Sequence, residues 1–157
     1  MHLSSRTDIE APIGFVYSVL ADFEAWERAG LRRGAEINRT DKLRGIVPGI
    51  AWTARFRFRG KERNVAIRLK EITPDHRLAF SGTGKMIEGD MQIELMSLSP
   101  KRTRLILHLD IRPLTLGARL FLQSVKIAKG RVQTRMNKRL ETFARDLERR
   151  HAELPSR

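Results

Sequence analysis

The chain contains no cysteine. Disulfides, thiolate metal sites and cysteine nucleophiles are therefore excluded, and a reducing cytoplasm is the expected setting. The four histidines, His2, His76, His108 and His151, show no His-x-x-x-His or related spacing, so neither a metal site nor a cofactor is expected. Long apolar runs are lacking too: no stretch approaches the roughly 18–20 apolar residues of a membrane span. The opening Met1-His2-Leu3-Ser4-Ser5-Arg6 lacks the basic-then-apolar layout of a secretory signal. Gly82-Thr83-Gly84-Lys85 lacks the spacing, and the Ser or Thr after lysine, of a phosphate loop, and reads as a turn.

Acidic side chains are scarce beside basic ones. Eighteen aspartates and glutamates stand against 31 lysines and arginines, a net charge of +13. Such a field attracts polyanions, so nucleic acid, the ribosome and an anionic membrane surface all qualify as partners. Arginine forks match phosphate well. A merely solvated, arginine-rich surface accounts for the same composition.

At 157 residues the chain suits one domain with a sizeable core, expected over 1–152 with a frayed tail at 153–157. Leu3, Ser5, Thr7 and Ile9 alternate with Ser4, Arg6, Asp8 and Glu10 in a period-two strand. Val16, Val19, Leu20 and Phe23 recur at helical spacing, which predicts a short helix over 12–21. Asp22 can cap a second helix, 23–29, that Gly30 would end. Residues 34–41 read as a weak strand, and Lys42 to Gly49, with Gly45, Pro48 and Gly49, as a loop. Five further strands follow, each alternating: Trp52 to Phe58, Val65 to Lys70, Leu78 to Phe80, 86–97, and Thr103 to Ile111. Closely spaced alternating strands form an antiparallel meander. After Pro113, Thr115 caps a helix expected to run unbroken over 115–150, about 50 Å at 1.5 Å per residue, with a kink or close packing at Gly130. Leu116, Leu120, Ile127, Met136, Leu140, Phe143 and Leu147 make its apolar stripe.

Strand, two short helices, six strands and a long final helix is an order that resembles the helix-grip, α+β fold of START-like (SRPBCC) proteins, the polyketide cyclase and birch-pollen-allergen superfamily. Ile9-Glu10-Ala11-Pro12, followed by Val16 through Trp26, is similar to that family's opening strand and helices. Pro48-Gly49-Ile50-Ala51-Trp52 resembles its glycine-led third strand, and Glu71 through Phe80 its fourth-to-fifth strand turn. The resemblance implies a curved seven-stranded antiparallel sheet around the long helix with a cavity between them. It fixes no activity, since relatives include lipid and hormone carriers, aromatase/cyclases, coenzyme Q-binding proteins, chaperone activators and a ribosome-associated toxin.

The inner faces read from the alternation carry Trp52, Phe56, Phe58, Phe80, Met91 and Leu95, and the helix opposes them with Leu116, Leu120, Ile127 and Met136. These are the expected pocket residues, because an apolar cavity with few polar groups is the usual small-molecule site. Binding or transport of a hydrophobic small molecule, a lipid, quinone or polyketide-like compound, is the leading expectation. A cyclase-like enzyme needs a buried group able to move a proton, for which Thr53, Ser81, Thr83 and Asn38 are the candidates. His108 and Asp110 share a face, but their neighbours' alternation puts them outside, and no catalytic residue is assigned. Arg55, Arg57, Arg59 and Lys61, extended by Arg63 and Arg68, are read as an outward basic row able to contact successive phosphates. No outward aromatic interleaves with them, as base stacking would require.

Overall fold

Alternation along seven segments produces, among the described residues, one antiparallel sheet. The computed structural model describes residues 1–155; the fraying expected of 153–157 lies partly outside them. The strands are β1 (His2–Ile9), β2 (Glu36–Arg39), β3 (Ala51–Phe58), β4 (Lys61–Thr73), β5 (Arg77–Thr83), β6 (Ile87–Ser99) and β7 (Arg102–Pro113). Their order across the sheet is β1-β7-β6-β5-β4-β3-β2. Helices α1 (Ile13–Leu20) and α2 (Phe23–Arg32) follow β1, and α3 (Leu116–Ile127) and α4 (Lys129–Ala152) follow β7.

Asp22 caps α2 as expected, accepting from the Ala25 amide at 3.3 Å. Gly30 does not end this helix. It lies inside α2, where a Cβ would collide with Ile37 of β2, so its missing side chain lets strand and helix approach. Asp41 ties down the loop between β2 and β3. Its carboxylate accepts from both forks of Arg39, at 2.7 and 2.8 Å, and from the amides of Leu43 and Ala51, each at 2.9 Å. The Arg39 hydrogen bond first, then the Ala51 amide, hold this carboxyl well below the ordinary carboxylate range.

The expected single C-terminal helix is two. The break falls at Ala128, which serves both as C-cap of α3 and as N-cap of α4, two residues before the glycine expected to mark a kink. Thr115 caps α3, its hydroxyl accepting from the Ala118 amide at 3.1 Å.

Strand register fixes which side chains share a face, because directly paired residues point the same way. The concave face carries Leu3, Ser5 and Ile9 of β1 and Thr103, Leu105, Leu107, Leu109 and Ile111 of β7. It continues through Leu95, Ile93, Met91 and Gly89 of β6, then Leu78, Phe80 and Gly82 of β5. It ends on Leu69, Ile67 and Val65 of β4 and Trp52, Ala54, Phe56 and Phe58 of β3. One half of this face is filled. Ile9, Val16, Leu20, Phe23, Ile50, Trp52, Leu69, Leu78, Leu95 and Leu105 form a buried cluster with Ala144 and Leu147 of α4. The Thr103 hydroxyl, fully buried, donates to the Ala11 carbonyl at 2.8 Å and closes that end. No described helix is long and apolar enough to cross a membrane.

Candidate ligand cavity

The other half of the concave face is covered less completely, although Ile67, Phe80, Ile93 and Leu107 also pack against the buried cluster. Leu107, Leu109 and Ile111 sit on β7, an interior strand of the sheet with α3 nearby, yet each is only half-buried. Ile67, Met91 and Phe56 are half-buried in the same way. In a close-packed interior such positions lose their solvent contact. The floor between them has no side chains, since Gly82 and Gly89 pair directly across β5 and β6. A Cβ at Gly82 would meet only Val65, at 3.6 Å, and the Ala66 carbonyl, at 3.9 Å. Gly89 has a different reason to be glycine: its Cβ would lie 2.7 Å from the Asp110 carbonyl oxygen.

The far end of this trough is rimmed by the β3–β4 hairpin, the β5–β6 turn and α3. The hairpin turns on Arg59 and Gly60, both in the left-handed region (φ 53° and 74°), which suits a two-residue connection. The Phe58 ring meets Phe121 of α3 edge-on at 6.4 Å, and the Arg59 guanidinium lies 4.4 Å from the Phe121 ring centroid. The Leu114 amide donates to the Met86 carbonyl at 2.7 Å, fixing the start of α3 beside the β5–β6 turn.

Of the residues read as pocket-lining, Trp52 and Leu95 belong to the filled half and are buried. Phe56, Phe80, Met91 and Met136 are half-buried, and Phe58 sits at the rim. Leu116, Leu120 and Ile127 do not face the sheet: they are 73%, 57% and 90% exposed. The side of α3 turned inward carries Ala118 and Leu122, both buried, with Phe121 and Val125 half-buried. The reason is phase. A stripe drawn through 115–150 as one helix joins two helices whose faces are set independently across Ala128. In α3 alone, 116, 120 and 127 lie about 140–180° from 118 and 125 at 100° per residue. Sequence reasoning missed Val65, Ile67, Leu107, Leu109 and Ile111 as cavity residues, although their inward alternation was visible. It missed the glycine floor because glycines carry no hydrophobic signal.

The basic row does not hold together. Arg55 projects outward but is engaged by Glu36 and, at 3.2 Å, by Glu62. Arg57 and Arg68 are exposed on the same convex face. Arg59 is in the turn, over Phe121. The two-residue turn then pairs Lys61 with Phe58 and Arg63 with Phe56, which puts Arg63 on the concave side. Its guanidinium Nη1 lies 3.2 Å from the Met86 sulfur, and its Nε is buried with no hydrogen-bond partner among the described residues.

The proton-moving candidates lie elsewhere. Thr53, Thr83 and Asn38 are exposed, and Ser81 pairs with Asp90 on the convex face. His108 stacks on His2 there, with ring centroids 6.0 Å apart. Asp110 accepts from Arg112 at 2.7 Å. Arg112 also holds Glu88 and Asp90, and those carboxylates, Glu88 first, raise its pKa further.

Two surface clefts are polar. One of about 640 Å³ runs between β1 and α4, past Arg6, Asp8, Glu10, Gln133, Asn137 and Glu148. The Ser5 hydroxyl donates to Asn137 Oδ1 at 2.6 Å, and Gln133 donates to the Ser4 carbonyl at 2.7 Å, so this cleft is the seam that docks α4 to the sheet edge. Asp8 stands beside it, its carboxyl lowered chiefly by the Arg104 hydrogen bond. The other, about 450 Å³, lies on the convex face around Lys70, Glu71, Arg77 and Gln92.

A curved antiparallel sheet gripping C-terminal helices after two short early ones is the START-like, helix-grip α+β fold. The chain is similar over nearly its whole length to the Zhui aromatase/cyclase from Streptomyces sp. R1128, with a TM-score of 0.67 at 18% identity, covering 96% of this chain and 94% of that one. It is similar to a START superfamily protein from Mycobacterium smegmatis, TM-score 0.63 at 16% identity over 98% and 99%. A protein from Thermus thermophilus matches with TM-score 0.66 at 17% identity over 99% and 100%. No protein-family model and no curated protein matches the sequence.

Proposed function

We propose that the protein binds a hydrophobic small molecule in the trough beneath α3, as a carrier and not as a catalyst. One observation supports this above the others: apolar side chains on interior strands keep solvent contact over a floor of paired glycines. A lipid, quinone or polyketide-like compound has the chemistry for that surface. The polar residues singled out for a cyclase-like reaction lie off the concave face, which weighs against conversion of the ligand there. The test is displacement of the apolar dye 1-aminoanthracene by dodecanol. Saturable displacement at one site is expected, and a protein that binds neither dye nor alcohol contradicts the proposal.

The outer ridge of α3 adds a docking reading. Leu116, Leu120 and Ile127 stand exposed. Between Asp110 and Glu141 the chain has no acidic residue and carries Arg119, Lys126, Lys129, Arg131, Arg135, Lys138 and Arg139 besides the carboxylate-bound Arg112. An apolar ridge with a basic collar suits the surface of an anionic bilayer, where each nearby cation contributes about 1 kcal/mol. The protein is expected to co-sediment with phosphatidylserine-containing vesicles at low salt and to lose most binding on Ile127→Glu. Equal binding to pure phosphatidylcholine vesicles would sink this part. The split basic row offers no comparable surface to nucleic acid or the ribosome.

A further inference from the structure

We propose that Arg63 anchors the headgroup of the cavity's ligand, and that this headgroup is a carboxylate. The proposal rests on the cavity reading above and adds the ligand's polar end.

Arg63 is the misfit on the concave face. Its register partner is Phe56, and Val65 follows it on the same side. A guanidinium carries five N–H donors and normally meets acceptors when it loses water. Here Nε is buried without a partner, and Nη1 finds only the thioether of Met86, a weak acceptor. Arg77 also has a buried Nε without a hydrogen bond, but Glu71 stands 3.3 Å away to balance its charge. No described carboxylate forms an ion pair with Arg63. Glu62, its neighbour in sequence, points to the opposite face and engages Arg55.

Arg63 also sits where a headgroup belongs. Met86 links it to the cavity mouth, since a Cβ on Gly117, in the first turn of α3, would lie 3.9 Å from the Met86 methyl. Inward from Arg63 run Val65 and Ile67 with the Gly82 floor beside them, an apolar bed for a chain. A single planar fork with free donors fits one carboxylate through two parallel hydrogen bonds. A phosphate, with more charge and more acceptors, calls for further cations beside the fork; Lys61, the other cation on this face of β4, is exposed at the strand's first residue, and Arg59 at the rim lies over the Phe121 ring.

The test uses the intact chain and three probes of one chain length: dodecanoate, dodecanol and dodecyl phosphate, each displacing 1-aminoanthracene. Dodecanoate is expected to bind about tenfold or more tightly than dodecanol, as a charge-assisted bidentate pair would give. Arg63→Gln is expected to erase that preference, bringing dodecanoate down to about the affinity of dodecanol for the same variant. Equal affinities in the wild-type protein, or a preference that survives Arg63→Gln, overturns the anchor and leaves the cavity standing. Tighter, Arg63-dependent binding of dodecyl phosphate overturns the carboxylate. Failure of all three probes removes the cavity reading and this inference with it. Should Arg63→Gln not fold, carbon-13 NMR of carboxyl-labelled dodecanoate on the wild-type protein decides: its bound pKa is expected below the free value, and an unchanged or raised one contradicts the pairing.

Discussion

Gly82→Phe is expected to abolish binding of dodecanol while leaving the fold at least as stable. The backbone there is ordinary strand, and the new Cβ meets Val65 at van der Waals distance. Phenylalanine also suits a strand better than glycine does. Its ring would project from the same face as Ile67, Met91 and Leu109, into the proposed trough. A ring that displaces about four methylenes of ligand, at about 0.8 kcal/mol each, removes about 3 kcal/mol, or more than about 100-fold in affinity. Dye displacement and a thermal melt on the same preparation read both halves. Binding that persists at wild-type strength means the ligand lies elsewhere; a large fall in melting temperature means the space over Gly82 is already occupied.

Leu147→Ala acts on the other half of the molecule. Leu147 is fully buried in the cluster joining α4 to Ile9, Leu105 and the two short helices. Truncation removes transfer energy and leaves a cavity that the surrounding strands cannot close, for a cost of about 2–5 kcal/mol. In a domain of this size that corresponds to a melting temperature lower by about 5–15 °C. Urea titration checks it. A loss below about 1 kcal/mol would show that α4 is not held by this cluster. Together the two substitutions separate the element that holds the helix from the space that the helix covers.

Much of this was legible in the residues. Period-two alternation marks the long strands because each buries one face, and Asp22 and Thr115 mark helix starts because their side chains accept from unpaired amides. Less legible was anything that depends on how elements meet. Gly30 looks like a helix end but is a contact with Ile37, a strand that local patterning cannot place against it. The apolar residues of α3 occupy both faces, so periodicity could not say that Leu116, Leu120 and Ile127 are the outer set. Arg63 is the instructive case. It has the same parity as Val65 and Ile67, so its inward direction was present in the sequence, but a charge beside other charges reads as surface until the register of the Arg59-Gly60 turn is known. The solvent contact kept by Val65, Ile67, Leu109 and Ile111 was not legible, since tightly and loosely covered concave faces carry the same apolar pattern.

The dodecanol titration followed on methyl resonances of the isotope-labelled protein tests the central claim most directly. Shifts concentrated on Val65, Ile67, Leu107, Leu109 and Ile111, with Leu78 and Leu147 still, are what an unfilled half of the concave face requires. Shifts confined to the convex face or the β1–α4 seam, or none among those five residues at saturation, would contradict it.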